Sequence, residues 1–151
     1  MARGRQARED AIDDAAEDAH DGRPAGPRLR VKVRLPGGVI GGGKIALLER
    51  IEGAGSISAA ARDLGMSFRR AWHLIDTLHQ ALGRPVLETS VGGAHGGGAR
   101  LTPFGRELVK RYRRTMAALD AEAAPLLSWI VDGEEQDKDK DKDKDKDKDK
   151  D

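Results

Sequence analysis

Two adjacent arginines, Arg69 and Arg70, are followed at short spacing by a tryptophan and a histidine. A guanidinium carries five N–H donors in a planar fork, which fits a phosphate or the major-groove edge of guanine. Residues at i, i+3, i+4 and i+7 share one face of a helix, and here they are Arg69, Trp72, His73 and Asp76. The pattern predicts a cationic helix face that binds a polyanion. Solvated arginines on an ordinary helix pair are the alternative, and Trp72 has a second interpretation as a core or interface residue.

Other candidate sites are weaker. The segment Gly38–Lys44 has the spacing of a phosphate-binding loop, but Ile45 stands where that loop needs Ser or Thr for Mg²⁺. We interpret it as a glycine turn before a helix. The chain has no cysteine, and metal-ligand spacing is missing at the four histidines, which are His20, His73, His79 and His95. We therefore predict no enzyme activity, no metal and no cofactor.

The sequence around the arginines predicts two helices joined by a tight turn. Ser56 and Ser67 are candidate N-caps, and Gly65 between them allows the positive φ that a tight turn requires. The shorter helix has an apolar face made of Ile57, Ala60, Ala61 and Leu64. The longer helix is expected to bury Phe68, Ala71, Ile75, Leu78 and Leu82. This helix-turn-helix would present the cationic face to solvent.

Further elements are predicted on both sides. The alternation from Leu29 to Leu35 indicates a strand with one face buried, and Ile45–Ile51 carries the apolar stripe of a first helix. Two later strands, Val86–Thr89 and Ala99–Leu101, enclose a glycine-rich tip. Thr102 caps a final helix that has a proline at its first position, and Pro125 is expected to kink or interrupt that helix.

This order of elements predicts a mainly α fold, a winged helix-turn-helix with a small β wing and a C-terminal dimerisation helix. The predicted parts are a disordered segment 1–27, a DNA-binding domain 28–102, a dimerisation helix 103–131 and a disordered Asp/Lys tail 132–151. Apolar residues extend along the last helix further than a small winged domain covers, namely Leu108, Tyr112, Met116, Leu119 and Leu126. We expect them to pair with a second copy, and folding back on the first helix is the alternative.

Charge is segregated along the chain. Residues 28–131 carry 16 basic and 8 acidic side chains, a net charge of +8, whereas the whole chain has a net charge of only +1. A basic middle part suits a polyanionic partner, although a basic soluble surface has the same composition. The sequence shows neither a secretory signal nor an apolar run long enough for a membrane span, so we expect a cytoplasmic protein.

A family resemblance supports this interpretation. The sequence from about residue 28 to residue 112 resembles the N-terminal DNA-binding domain of ModE-type molybdate-responsive regulators, which is related to the LysR-type winged helix. The resemblance is carried by the stretch GSISAAARDLGMSFRRAW at 55–72, by the glycines at 92–93 and 96–98, and by LTPFG at 101–105. It implies a dimer with one recognition helix per half-site and DNA contacts from the third helix and the wing. The wing departs from the family pattern at Ala94 and His95.

We therefore predict a sequence-specific regulator of transcription that binds double-stranded DNA as a homodimer and reads the major groove with the helix that starts at Ser67. The predicted DNA-binding residues are Ser56, Ser67, Arg69, Arg70, Trp72, His73, His95 and Arg100. The alternative is a winged-helix module that pairs with another regulator without reading DNA. Molybdate binding is not expected, because the sequence contains nothing that resembles the family's ligand-binding domains.

Overall fold

The computed structural model describes residues 21–91 and 97–146, with side chains described as far as residue 133. It divides into two compact units. Within the described residues, the first unit contains residues 21–24 and Val31–Arg114, and the second contains Ala25–Arg30 and the chain from Thr115 onward. The division between the two units lies inside the last helix. Most of the predicted N-terminal segment lies outside the described residues.

The first unit begins with a short hairpin in which β1 (Val33–Leu35) pairs antiparallel with β2 (Gly38–Ile40). The predicted strand from residue 29 is therefore too long, and its buried face is also wrong, because Val33 is 40% exposed. The turn between the strands needs a glycine. A Cβ at Gly37 would lie 2.5 Å from a backbone oxygen of the third helix.

Three helices form the core of this unit. They are α1 (Gly42–Ala54), α2 (Ile57–Asp63) and α3 (Phe68–Leu82). The first and third each end at a glycine with positive φ, a conformation that costs other residues energy. The buried side chains come from all three helices and include Ile45, Leu48, Ile51, Ala60, Ala61, Leu74, Ile75 and Leu78. The predicted helix-turn-helix is confirmed.

The wing consists of two antiparallel strands, β3 (Leu87–Ser90) and β4 (Gly98–Leu101). Their register places Leu87 opposite Leu101, and both of these side chains are buried. The strands agree with the predicted ones to within one residue at each end. Together with the three helices they confirm the predicted fold class, a mainly α winged helix-turn-helix.

The last helix, α4 (Pro103–Lys146), begins as predicted. The Thr102 hydroxyl accepts a hydrogen bond from the Gly105 N–H at 3.0 Å and donates one to the Pro85 carbonyl at 3.0 Å. Close approach of the helix to the residue before the wing requires Gly105, because a Cβ there would lie 2.3 Å from the Val86 carbonyl oxygen. The start of α4 is thereby fixed to the chain that leads into the wing.

The helix α4 continues further than the sequence predicts. Pro125 does not interrupt it, because a proline removes a single backbone hydrogen bond and its neighbours Ala123 and Ala124 have the highest helix propensity. The backbone also remains helical to Lys146, where a disordered tail was predicted from residue 132. Extending an existing helix adds a hydrogen bond per residue without a new nucleation step, which a prediction from composition alone does not include.

Candidate DNA interface

The turn between α2 and α3 fixes how the third helix is presented. Gly65 has φ of +66°, and its N–H donates to the Arg62 carbonyl at 3.1 Å. The next N–H, of Met66, donates to the Ala61 carbonyl at 2.9 Å. The chain therefore closes the end of α2 with backbone bonds alone and enters α3 after two further residues, a geometry that depends on glycine at the left-handed position.

Both predicted serine caps are formed. The Ser56 hydroxyl accepts from the Ala59 N–H at 3.1 Å, and the Ser67 hydroxyl accepts from the Arg70 N–H at 3.1 Å. The Ser67 cap defines where α3 begins. The positive end of this helix dipole therefore lies at Ser67, which favours a nearby anion.

The outer face of α3 carries the predicted polar and aromatic set. Arg69, His73 and Asp76 are exposed, and Trp72 retains 37% exposure, so it is not a core residue. The Asp76 carboxylate accepts a hydrogen bond from the Gln80 amide at 3.1 Å. The solvent-exposed face of α3 thus carries the four side chains that helical spacing places together, Arg69, Trp72, His73 and Asp76. Arg70 lies to the side of this face and is half-buried.

Phe68 contradicts the sequence prediction. It was expected in the buried face of α3, yet it is 51% exposed. Its ring meets Trp72 edge to face, with the centroids 6.3 Å apart and the planes at 77°. The helical spacing was ambiguous here, because Phe68 stands at the border between the apolar stripe and the outer face. The start of α3 therefore presents two aromatic rings near Arg69.

The wing carries one more predicted residue. The Arg100 side chain lies on β4, is exposed, and donates from Nε to the Glu88 carboxylate on β3 at 3.1 Å. These residues stand opposite each other in the register of the two strands. His95, the other predicted wing residue, lies outside the described residues.

A carboxylate that the sequence analysis did not identify holds the wing to the helical core. Glu52, on α1, accepts from the Leu101 N–H at 2.7 Å and from the Arg106 Nε at 2.7 Å. Close by, the Ala99 N–H donates to the Gly55 carbonyl at 2.8 Å. We call Glu52, Leu101 and Arg106 the wing anchor. No spacing rule could reveal it, because the partners of Glu52 lie 49 and 54 residues further along the chain.

The wing anchor has an electrostatic consequence. The Leu101 N–H, and after it the Arg106 guanidinium, hold the pKa of the Glu52 carboxyl below its ordinary value of 4.5. Both bonds favour the ionised form, because a carboxylate accepts hydrogen bonds that a protonated acid accepts less well. The Glu52 carboxyl of the wing anchor is therefore ionised at neutral pH.

The predicted dimerisation residues differ in accessibility. Tyr112 is buried in the single chain, and its hydroxyl donates to the Val31 carbonyl at 3.4 Å, so it belongs to the core of the first unit. Met116 is also buried, which leaves neither side chain available to a second copy. Leu108 and Leu119 are half-buried, and Leu126 is 54% exposed. The accessible apolar surface thus lies further along α4 than predicted.

Within residues 21–91 and 97–133, no group of three or more histidine, aspartate or glutamate side chains is arranged to hold a metal ion. The Lys44 ammonium of the loop-like glycine segment donates to the Val39 carbonyl at 2.8 Å, next to its own turn. No helix in the described part of the chain is long and apolar enough to cross a membrane.

Residues 43–106, from α1 into the start of α4, match the family of bacterial regulatory helix-turn-helix proteins called the LysR family. This segment is a LysR-type helix-turn-helix domain. The match covers the helix pair, both serine caps and the wing, so it includes every element that presents the candidate interface. The family is one of regulators and not of enzymes.

Several relatives specify the type of domain further. The molybdenum-pterin-binding protein MopB of Rhodobacter capsulatus is 42% identical over 98 residues, which are 65% of this chain and 35% of MopB. The DNA-binding transcriptional dual regulator ModE of Escherichia coli is 38% identical over 85 residues, 56% of this chain and 32% of that protein. The molybdenum transport protein ModE of Azotobacter vinelandii is 43% identical over 70 residues, 46% of this chain and 26% of that protein.

These matches show a ModE-type DNA-binding domain, as the resemblance implied. The chain spans about a third of the length of the relatives it matches.

Proposed function

We propose that this chain regulates transcription by binding double-stranded DNA, with α3 in the major groove and the wing against the adjacent backbone. The observation that carries the proposal is the outer face of α3, where Arg69, Trp72 and His73 stand together on a helix fixed by the turn at Gly65. The first residues of a recognition helix are those that reach base edges. The relative in Escherichia coli is named a DNA-binding transcriptional regulator, which agrees with this role.

We assign a role in DNA binding to each of three arginines. Arg69 stands in the outer face of α3 and reads a base edge, and a guanidinium matches guanine through two parallel hydrogen bonds. Arg70 stands to the side of that face and contacts phosphate. Arg100 contacts phosphate from the wing, because its bond to Glu88 uses the Nε–H and a guanidinium has five N–H donors. Ser56 and Ser67 act through the helix N-termini they cap, where backbone N–H groups face the phosphates.

The proposal includes a homodimer formed through α4. Among the exposed apolar side chains beyond Thr115 are Leu126, Trp129 and Ile130, with Trp129 73% exposed. Their spacing of three and four residues places them on one side of the helix. A contiguous apolar patch of this kind marks an interface, and a second copy offers an identical patch in a two-fold arrangement. Two recognition helices would then meet two half-sites. Such a regulator acts in the cytoplasm, where bacterial chromosomal DNA is located.

The experiment is a selection of binding sequences by the full chain from a pool of random DNA duplexes. The proposal expects enriched sequences with a two-fold repeat, and loss of the enrichment when Arg69 is replaced by alanine. Arg111→Ala is the matched control, because it removes one exposed guanidinium that pairs with Glu107 on its own helix. Enrichment by the control together with failure of Arg69→Ala supports the proposal. A chain that enriches no sequence, or binds heparin as tightly as any duplex, contradicts it.

A second function has one observation in its favour. The exposed pair Phe68 and Trp72 is the kind of surface that a winged-helix module uses to dock on another protein. Arg69 lies on the same surface and favours a polyanion instead. The selection experiment separates the two functions, because a protein-docking module enriches no duplex.

A further inference from the structure

Phe68 lies outside the buried inner face of α3. The inner face of α3 is already complete, with Ala71, Leu74, Ile75 and Leu78 all nearly inaccessible to solvent. Phe68 stands outside this set, at the first position of the helix, with half of its surface in water. The apolar surface of Phe68 is therefore available for a partner that removes it from water.

The Phe68 ring contacts the ring of Trp72. The two rings are four residues apart on one helix face and meet at 77°, the edge-to-face arrangement that aromatic pairs prefer. Such a contact restricts the rotation of the Phe68 side chain before any partner arrives. A ring that is ordered in advance loses less conformational freedom on binding.

The surroundings define the chemistry of the partner. Arg69 adjoins Phe68 in the sequence and is exposed, and the capped N-terminus of α3 adds the positive end of a helix dipole. The partner must therefore be anionic overall and must also offer a small apolar group within reach of the helix start. In the major groove of DNA, the C5-methyl group of thymine is that apolar group.

We propose that Phe68 reads thymine in each half-site by packing its ring against the C5-methyl group, and that Trp72 positions the ring. The inference rests on the proposed function and adds a specificity determinant to it. With this inference, the start of α3 contains two kinds of side chain that recognise bases. Arg69 recognises a guanine by hydrogen bonds, whereas Phe68 recognises a nearby thymine by apolar contact.

The test replaces thymine by deoxyuridine, which pairs identically but lacks the methyl group. A duplex selected by the full chain is prepared with this replacement at one thymine at a time, and its affinity is measured by fluorescence anisotropy. Wild-type protein should lose about fourfold in affinity at one thymine of each half-site, the effect of one buried carbon. Phe68→Ala should bind the thymine and deoxyuridine duplexes with affinities that differ by less than about 1.5-fold.

Two controls make the result specific. Phe68→Leu keeps an apolar side chain and should retain a measurable part of the thymine preference. Arg69→Ala should weaken binding to both duplexes by the same factor and leave the preference intact. All variants should keep the helical circular dichroism of the wild type, because neither side chain lies in the core.

The outcomes separate this inference from the proposed function. Sequence-specific binding with no loss at any deoxyuridine overturns the reading of thymine by Phe68 and leaves DNA binding standing. A thymine preference that survives Phe68→Ala assigns the contact to another residue and also overturns the inference. Failure to select any duplex overturns both proposals and favours a protein partner at the Phe68 and Trp72 pair.

Discussion

The third helix and the distal part of the fourth helix both carry side chains that solvent reaches, but the two surfaces differ in kind. The outer face of α3 mixes Arg69 and His73 with two aromatic rings. The distal face of α4 presents Leu126, Trp129 and Ile130, with no cation among the three. A mixed cationic and aromatic surface fits a charged partner that has few apolar groups, whereas a predominantly apolar surface fits another apolar surface. The outer face of α3 therefore predicts a nucleic-acid partner, and the distal face of α4 predicts contact with a second copy of the chain.

The largest expected effect comes from breaking the apolar surface. Leu126→Asp combined with Ile130→Asp places two charges in the proposed interface, so we expect a folded monomer in sedimentation velocity at micromolar concentration. Its affinity for a selected two-fold operator should fall about 100-fold, since linked half-site binding gains about that factor. The control Ala124→Asp adds a charge at an exposed position of the same helix and should remain a dimer. An unmodified chain that is already monomeric at that concentration would rule out this interface.

The next effect comes from the cationic surface. Arg69→Ala should weaken operator binding by about 1–3 kcal/mol and relax base preference at one position of each half-site. Arg70→Ala should weaken binding to all duplexes alike and reduce the slope of log affinity against log salt by about one per half-site. Titrations of both variants between low and moderate salt distinguish base reading from phosphate contact. If both variants bind like the wild type, the cationic face of α3 is not the DNA surface.

The smallest effect concerns the wing anchor, which positions the second contact with DNA. Glu52→Gln should lower the free energy of unfolding by about 1 kcal/mol at pH 7, because the ionised acceptor of two hydrogen bonds is lost and the site is partly exposed. Urea unfolding at pH 7 measures this change. Glu107→Gln, which removes an exposed carboxylate paired within one helix, is the matched control and should change the unfolding free energy less.

The same anchor predicts a dependence on pH. The folded-state pKa of Glu52 is lowered, so its contribution to stability is present above its ordinary pKa of 4.5 and is lost as the pH falls through the folded-state value. The wild type should therefore lose more stability than Glu52→Gln on acidification from pH 6 to below pH 4. Parallel acid-unfolding curves for the two proteins would contradict the role of Glu52.

The parts of this molecule that follow local rules were predictable from the sequence. Serine caps at Ser56 and Ser67, a glycine turn at Gly65 and apolar spacing specify the helix-turn-helix within about 30 residues, and the structure contains all three. The match to the LysR family of helix-turn-helix proteins covers the same segment. These features depend on residues near one another in the chain, and therefore on rules that a single sequence displays.

The parts that depend on tertiary contacts were not predictable. Phe68 satisfies the helical spacing of the core and is nevertheless exposed, because other side chains of α3 already fill that core. Glu52 meets partners about 50 residues away, and Tyr112 is buried against a backbone carbonyl 81 residues earlier. The helix through Pro125 shows that one lost hydrogen bond does not end a long helix. In each case tertiary contacts determine a feature that the local propensity of the sequence does not specify.

The most direct test of DNA reading by α3 is protection of guanine N7 from dimethyl sulfate on a selected operator, because N7 lies in the major groove. The account predicts protected guanines in two half-sites whose centres lie about 10 base pairs apart, and loss of that protection with Arg69→Ala while Arg111→Ala retains it. Binding that leaves every guanine N7 reactive, or protection unchanged by Arg69→Ala, would contradict insertion of α3 into the major groove.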